Sequence, residues 1–298
     1  MTENLTRVEA TPTGMRLTDW VAREEGFFAS EGIDVHVNWA ALHHQQAKVG
    51  TTADTDYEDI AQLRLGQFFS KSELTSACAW GGICMAGAGM GHIVRDVHGV
   101  SPCGIYVRPD SKIKEPKDLA DVGIAVGLRA GSHFSALHHL EKHLPLDRIN
   151  AVNHGGFGAR LEALLSGEAE AASLLPPQNY MADQLGMRAV LKGEFTIAWW
   201  VTGEISDDKL QPYLKAIGRA EAALDADLER YLPLWKYSIP PEFEDRTWDF
   251  SRFGRGERFV NEAFSQDQFD EFLSQAHRWG LDNHMTERDY EKISYALS

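Results

Sequence analysis

The sequence predicts an α/β protein whose sheet is largely parallel and covered by helices, followed by a helical C-terminal tail. Strand-like and helix-like segments alternate as far as about residue 202, an order typical of a parallel sheet with helices on both faces. Residues 33–39 carry apolar side chains at every second position, which is the period of a half-buried strand. From Asp207 onwards the apolar spacing is helical, so the tail is predicted to be mostly helix.

The individual elements follow from local patterns. Helices are predicted where apolar residues recur every three to four positions, namely 16–30, 56–69, 115–120, 131–143, 159–166, 178–186, 207–235, 267–279 and 287–297. Strands are predicted where short apolar or alternating runs end at turn residues, namely 7–11, 33–39, 74–79, 92–100, 104–107, 123–127, 151–154, 169–175 and 196–202. Residues 81–91 form a glycine-rich run after a short strand, and Gly32 is expected to end the first helix.

The charge and composition of the chain exclude several classes of function. Lys and Arg number 29 against 44 Asp and Glu, and the net charge of −15 argues against nucleic acid or an anionic membrane surface as partner. A small anionic ligand remains compatible, because the start of a single helix can bind one. The first ten residues lack a secretory signal. A cytoplasmic location is therefore expected, with a periplasmic one as the alternative if the natural chain begins earlier.

Four segments, in the same order, resemble the type 2 periplasmic binding proteins. Residues 26–35 read GFFASEGIDV and match the pattern GFF-x-x-EG-(I/L)-D-V of that family. Residues 106–119 resemble its crossover segment, V-R-x-DS-x-I-x-x-P-x-DL, and residues 131–133 and 161–171 continue the pattern. The similarity runs from about residue 11 to residue 202, and it is nearest to the nitrate, sulfonate and taurine binding branch and the thiamine-pyrimidine synthases.

This resemblance implies a two-lobed Venus-flytrap fold with two crossover strands and a ligand cleft between the lobes. The first lobe would hold residues 1–104 and 199–298, and the second lobe residues 105–198. The same fold includes cytosolic enzymes, among them dihydroxyphthalate decarboxylases and aromatic sulfinate desulfinases. The desulfinases carry a cysteine near the end of the first strand, where this chain has Thr11 and Thr13. Nor does it carry the clustered cysteines of the pyrimidine synthases.

The candidate ligand-binding residues follow the predicted strands. Gly131 and Ser132 begin a helix directly after a strand, where free N–H groups and the helix dipole favour an anion. Ser132 could instead serve only as the N-cap, and the turn at residues 11–14 could be no more than a polar turn. The predicted contacts are Thr11, Thr13, Gly14, Trp80, Gly81, Gly131, Ser132, Asn179 and Trp199. Of the neighbours Trp199 and Trp200, one should face the cleft and the other the core.

Four residues are candidates for proton transfer or nucleophilic attack, namely His133, Cys78, His44 and His154. A histidine could move a proton near neutral pH, and a cysteine thiolate could attack a substrate. Cys78 could equally be a small buried apolar residue. His139 and His143 have the spacing of metal ligands on one helix face, but no H-E-x-x-H pattern completes the site. No metal, nucleotide, flavin or nicotinamide is therefore expected.

Two functions from different classes remain open at this point. The first is a cytosolic, cofactor-free enzyme of decarboxylase or lyase type that acts on a small aromatic or carboxylated compound. The alternative is a non-catalytic binding protein, similar to the receptors of ABC importers, for a small organic anion such as a sulfonate or carboxylate. Because one fold carries several functions, the fold by itself does not choose between them.

Overall fold

A computed structural model describes residues 5–11, 14–37, 72–201 and 205–297. Its centre is one sheet of ten strands in the order β2-β1-β3-β8-β4-β7-β5-β6, and β9 and β10 pair with β4. The strands are β1 (Thr6–Thr11), β2 (Ile33–Val37), β3 (Leu74–Cys78), β4 (His92–Val107), β5 (Gly123–Val126), β6 (Asn150–Asn153), β7 (Ala171–Leu174), β8 (Arg188–Val201), β9 (Arg258–Val260) and β10 (Ser294–Tyr295).

Two long antiparallel strands, β4 and β8, join the halves of this sheet. At one end β8 pairs with β3, which continues the parallel set β2-β1-β3. At the other end β4 pairs with β7, which continues the parallel set β7-β5-β6. The two predicted crossover strands are thus confirmed. The separate strands predicted on either side of Pro102 are one strand, because the long pairing with β8 continues past the missing N–H of that proline.

The helices cover the two parallel sets. Their bounds are α1 (Thr18–Glu24), α2 (Phe27–Ser30), α3 (Ala79–Gly87), α4 (Gly131–Leu140), α5 (Phe157–Ser166), α6 (Gln178–Gln184), α7 (Asp207–Ala226), α8 (Leu228–Tyr231), α9 (Gln266–Arg278) and α10 (Tyr290–Ile293). Short 3-10 segments lie at Pro116–Leu119, Leu146–Arg148, Leu232–Ser238, Pro241–Phe243 and Phe250–Arg252. None of the helices in these ranges is long and apolar enough to cross a membrane.

Two helix predictions need correction. The predicted helix 16–30 is two short helices, because Gly26 between them adopts a left-handed conformation with φ of +67°. The predicted helix 207–235 is divided into α7, α8 and a 3-10 segment, and the glycine-rich run that follows β3 falls largely in helix α3. Its glycines permit close packing, since a Cβ at Gly87 would lie 2.4 Å from Cε of Met285. The predicted helix 56–69 lies outside the described residues.

The C-terminal tail, residues 205–297, packs against both halves of the sheet. Helix α7 lies against α1 and α2, helix α9 lies against α3, and β9 and β10 extend the pairing of β4. The tail also contacts α4 and α6, which belong to the second parallel set. The assignment of residues 199–298 to the first lobe stays a prediction.

Candidate functional site

Three helices begin where strands of the two parallel sets end. Helix α3 starts at the residue directly after β3, whereas four residues separate β5 from α4 and three residues separate β6 from α5. In open α/β sheets the carboxyl ends of the strands form the edge at which ligands bind. The candidate site is therefore the edge formed by the starts of α3, α4 and α5.

None of these three helices is capped by a side chain. Their N-cap residues are Cys78, Ala130 and Gly156, and none of the three caps its helix with a side-chain hydrogen bond. Side-chain caps are present on α8, α9 and α10 of the tail and absent from α1, α2, α6 and α7. The first N–H groups of a helix have no acceptor within the helix, so an uncapped start leaves donors for an external acceptor.

The starts of α3 and α4 lie side by side although they belong to different halves of the sheet. A Cβ at Gly81 would lie 4.0 Å from the carbonyl oxygen of Arg129 and 3.8 Å from the ring of Phe134. On the other side of α4, a Cβ at Gly127 would lie 2.8 Å from the carbonyl oxygen of Gly155. The glycines that the sequence places at these turns thus allow three backbone segments to approach one another.

Ser132 and His133 shape the loop before α4 with their side chains. The hydroxyl of Ser132 accepts a 2.9 Å hydrogen bond from the N–H of Gly127, and Nδ1 of His133 accepts one of 3.1 Å from the N–H of Arg129. Both side chains are buried. These bonds give Ser132 and His133 a role in positioning the loop. Their contact with a ligand, and proton transfer by His133, stay predictions.

Two arginines bring positive charge to the same loops, and the sequence analysis missed both. Arg160 is buried and donates to the carbonyl oxygens of Ser173 at 3.0 Å and Gly155 at 2.9 Å. Arg129 precedes α4 and donates to the carbonyl oxygen of Leu281 at 3.1 Å. The sequence signal for Arg160 is its place two residues after the glycine-rich stretch at residues 155–158, where it is the first cation.

The candidates of the first strands lie in buried surroundings. The hydroxyl of Thr11 is hydrogen-bonded to that of Ser72, and the carbonyl oxygen of Thr11 accepts from Thr75 at 2.8 Å. Gly14 has a φ of +73°, a left-handed backbone conformation that favours glycine. Cys78 is buried. Thr13 and His44, together with His43, lie outside the described residues.

Trp80 lies in an aromatic cluster rather than on an open surface. Its indole is 1% exposed and stacks on Phe134 with ring centroids 6.0 Å apart. Phe272 meets it edge-on at 5.1 Å, and its Nε1 donates to Gln275 at 2.6 Å. This is the packing of a core residue, and a contact between Trp80 and a ligand stays a prediction.

Two second-lobe candidates also have partners within the chain. Nδ1 of His154 lies 3.8 Å from a carboxylate oxygen of Glu168, and the imidazole is 14% exposed. Oδ1 of Asn179 accepts from the N–H of Tyr180 at 2.9 Å, and the side chain is buried. His154 lies in the loop before α5, whereas Asn179 lies in α6; ligand contacts by both residues, and proton transfer by His154, stay predictions.

Trp199 and Trp200 face opposite sides of the sheet, as strand alternation predicts, but both are buried in apolar clusters. The guanidinium of Arg16 lies 4.2 Å above the ring of Trp199. Arg16 is itself buried, 2.6 Å from Asp19, 2.9 Å from Glu257 and 2.5 Å from the hydroxyl of Ser76. Trp199 therefore supports a buried ion pair, which the sequence analysis did not anticipate.

The opposite charges of this buried ion cluster stabilise one another. Burial opposes the charge of Arg16, but Asp19 and Glu257 outweigh that effect and raise the pKa of the guanidinium. The hydroxyl of Tyr213 donates to Asp19 at 2.6 Å. With two carboxylates already beside it, Arg16 is better suited to holding the fold than to binding an anionic ligand.

The histidines of α4 do not assemble a metal site. Within the described ranges, no three His, Cys, Asp or Glu side chains come together as metal ligands. Nε2 of His139 lies 3.0 Å from the carbonyl oxygen of Glu194, and burial lowers the pKa of the imidazole to about 4. His139 is thus a neutral packing residue at physiological pH.

No protein-family model matches the sequence, and no curated protein matches it. Solved structures do match it. The alkanesulfonate-binding protein SsuA from Xanthomonas axonopodis pv. citri, bound to MOPS, is 14% identical with a TM-score of 0.65, covering 98% of each chain. The periplasmic nitrate-binding protein NrtA from Synechocystis PCC 6803 is 12% identical with a TM-score of 0.65, covering 99% of this chain and 92% of its own.

A third structure is an enzyme. The desulfurization enzyme DSZB is 16% identical with a TM-score of 0.58, covering 98% of this chain and 96% of its own. The chain has the fold of the type 2 periplasmic binding proteins. The two-lobed α/β architecture predicted from the sequence is thereby confirmed. At such low identities the similarity shows a shared fold only. The ligands of these proteins are properties of those proteins.

Proposed function

We propose that this type 2 periplasmic-binding-protein fold binds a small organic anion, such as a sulfonate or carboxylate, at the starts of α3, α4 and α5. The observation that carries the proposal is the absence of a side-chain cap on all three helices. An anion placed there would accept hydrogen bonds from the free N–H groups and gain from the helix dipoles. Such a site explains how a chain with a net charge of −15 could hold an anion.

Two further observations support an anionic ligand. Arg160 and Arg129 lie in or beside the loops that lead into α5 and α4. Several proteins with the same fold are named for anions, including alkanesulfonate and nitrate. In this proposal Gly131 and Ser132 donate with their backbone, whereas the side chains of Ser132 and His133 hold the loop in shape.

The experiment compares two substitutions at one position. Gly131 is the first residue of α4, where proline is tolerated because that N–H is not used within the helix. Ala130 before it is already extended, with φ of −104° and ψ of 175°, as a residue preceding proline must be. Gly131→Pro removes one N–H donor, and Gly131→Ala is the control that keeps the donor while adding a Cβ.

Binding is measured by calorimetry against alkanesulfonates, aromatic carboxylates and nitrate. We expect an anion that binds the unmodified protein to lose about tenfold or more in affinity in Gly131→Pro, corresponding to a charge-assisted hydrogen bond of roughly 1.5–3 kcal/mol. Gly131→Ala should bind within a few-fold of the unmodified protein. An equal loss of affinity in both variants would mean that the helix starts do not bind the ligand. The same would follow if the protein bound only cations and neutral compounds.

The second candidate is the lyase-type enzyme, and Cys78 is the observation that favours it. Cys78 is the N-cap residue of α3, and the start of a helix is a position that stabilises a thiolate. Cys84 lies inside α3 and Cys103 lies within β4, and burial raises the pKa of both thiols to about 12. A nucleophilic thiol in this chain would therefore be that of Cys78.

Alkylation with iodoacetamide at pH 8, followed by mass spectrometry, tests this candidate. Cys84 and Cys103 should remain unmodified, and a reactive Cys78 should be alkylated until a bound anion protects it. Incubation of each binding anion with the protein then shows whether the compound is consumed. If Cys78 is not alkylated and every ligand is recovered unchanged, binding is the only function that remains supported.

A further inference from the structure

The C-terminal tail connects the two lobes on both sides of the crossover strands. Two groups of contacts do so, and each contains residues of the first lobe, the second lobe and the tail. The first, the aromatic junction, consists of Trp80, Phe134, Glu141, Phe272, Arg278 and Trp279. The second, the polar junction, consists of Arg16, Tyr180, Gln184, Asp249, Gly256 and Glu257.

In the aromatic junction the tail inserts between α3 and α4. Trp279 lies 5.7 Å from the ring of Trp80 in the first lobe and 6.2 Å from that of Phe134 in the second. Its Nε1 also donates to Glu141 at 2.9 Å. Arg278 adds hydrogen bonds of 2.6 Å and 3.2 Å to the same carboxylate. Separating α3 from α4 would expose the two large rings of Trp80 and Phe134, which are each 1% exposed.

In the polar junction the tail binds α6 of the second lobe and the turn before α1 of the first. The N–H of Gly256 donates to the hydroxyl of Tyr180 at 3.1 Å, while the next residue, Glu257, pairs with Arg16. Gln184 and the backbone of Asp249 exchange two hydrogen bonds, of 2.9 Å and 3.1 Å. Two consecutive tail residues, Gly256 and Glu257, thus contact Tyr180 of the second lobe and Arg16 of the first.

We propose that the tail is an interlobe strap, which keeps the two lobes together in the absence of ligand. Hinge opening at β4 and β8 would have to break both junctions at once, since they lie on different helices of the second lobe. Detaching the second lobe would expose the ring of Phe134 in one junction and break the hydrogen bonds of Tyr180 and Gln184 in the other, and both changes are costly. Ligand exchange in this protein therefore proceeds without a rigid-body separation of the lobes.

This inference concerns the motion of the lobes and does not depend on which anion, if any, binds. The test measures the distance between spin labels at two exposed positions, Ala29→Cys in the first lobe and Lys117→Cys in the second. The native cysteines are buried, and the protein without these two substitutions, treated with the same label, reports any background. The measurement is made on ligand-free protein by double electron–electron resonance.

We expect one narrow distance distribution whose mean lies within about 1 Å of the distance for the structure with the labels built onto it, the range of a pre-organised protein. A variant that removes one polar contact from each junction, Arg278→Gln with Tyr180→Phe, should add a population shifted by more than about 2 Å. The matched control is Arg148→Gln, which removes an ion pair with Asp121 that lies wholly within the second lobe.

Two results would overturn the strap. One is a second, longer distance population in the unmodified ligand-free protein, which would mean that the lobes open with both junctions intact. The other is a distribution in the double variant that matches that of Arg148→Gln, which would mean that the junction contacts do not hold the lobes. Circular dichroism confirms that the substitutions, which keep side-chain size nearly constant, leave the fold intact.

Discussion

The two junctions join the same three parts of the chain by opposite kinds of chemistry. In the aromatic junction the buried surface is apolar, and the hydrogen bonds from Arg278 and Trp279 lie at its edge. In the polar junction an ion pair is itself buried, with Arg16 and Glu257 both 1% exposed. An apolar contact weakens in proportion to the surface lost, whereas a buried ion pair fails when either partner is removed. The two should therefore respond differently to substitution.

The largest effect is expected from Trp80→Ala in the aromatic junction. Removing a fully buried tryptophan leaves a cavity and an unpaired Gln275 oxygen, so unfolding in denaturant should become easier by about 4 kcal/mol. Trp80→Phe is the control, since it keeps most of the apolar contact and loses only the N–H donor. Similar stability of Trp80→Ala and Trp80→Phe would show that the ring does little to hold the junction together.

The next largest effect is expected from Arg16→Met in the polar junction. The substitution keeps much of the volume but leaves the carboxylates of Asp19 and Glu257 buried without their cation, which should cost about 3 kcal/mol. Arg219→Met is the matched control, because Arg219 also pairs with a glutamate and lies over an aromatic ring but is largely exposed. The Arg219→Met variant should lose less than about 1 kcal/mol of unfolding free energy. Equal losses in chemical denaturation would contradict the special role of burial.

How far the sequence predicts these regions depends on whether the signal is local. The glycine at the start of α4 was predicted from a strand followed by turn residues within a few positions, whereas the crossover strands were implied by the resemblance to the type 2 periplasmic binding proteins. The polar junction was not, since Arg16 and Glu257 are separated by 241 positions. An arginine just before a helix looks the same in sequence whether or not a distant carboxylate pairs with it in the fold.

The same limit applies to the candidate site. Residues 131–133 were predicted as a ligand site from a strand followed by a helix, and the structure places them at such a turn. What the sequence could not predict is that the side chains of Ser132 and His133 turn towards the loop that precedes them. It also could not predict that Trp80 lies between two lobes and the tail, because its partner Phe272 comes from the far end of the chain.

A smaller effect is expected from Tyr180→Phe, which separates the hydrogen bond of the polar junction from its ion pair. The substitution removes only the oxygen that accepts from the N–H of Gly256, so stability should fall by about 1–2 kcal/mol. Tyr237→Phe is the control, because its hydroxyl donates to Glu24 over 3.4 Å at an exposed position. If the two variants unfold at the same denaturant concentration, Tyr180 does not connect α6 to the tail.

The smallest effect is expected at the edge of the aromatic junction, and it depends on pH. Burial opposes the ionisation of Glu141, but hydrogen bonds from Arg278 and Trp279 outweigh it and lower the pKa of the carboxyl below 4.5. The neighbouring charges are Arg278 and, when protonated, His138. A lowered pKa means that the ionised form stabilises the fold above pH 4.5, and that this contribution is lost as the pH falls through the folded-state value.

Glu141→Gln should therefore be less stable than the unmodified protein by about 0.5 kcal/mol at pH 7, and the difference should shrink below pH 4. Asp121→Asn is the control, because the pKa of Asp121 is likewise lowered by its ion pair with Arg148, within one lobe. Both variants should show the same trend in denaturation with pH, but only Glu141→Gln should lengthen the distance between the spin labels. A longer distance in both variants would mean that the loss of any surface ion pair loosens the lobes. The hydrogen bonds of Glu141 would then have no special role, and only the buried rings would distinguish the aromatic junction from the polar one.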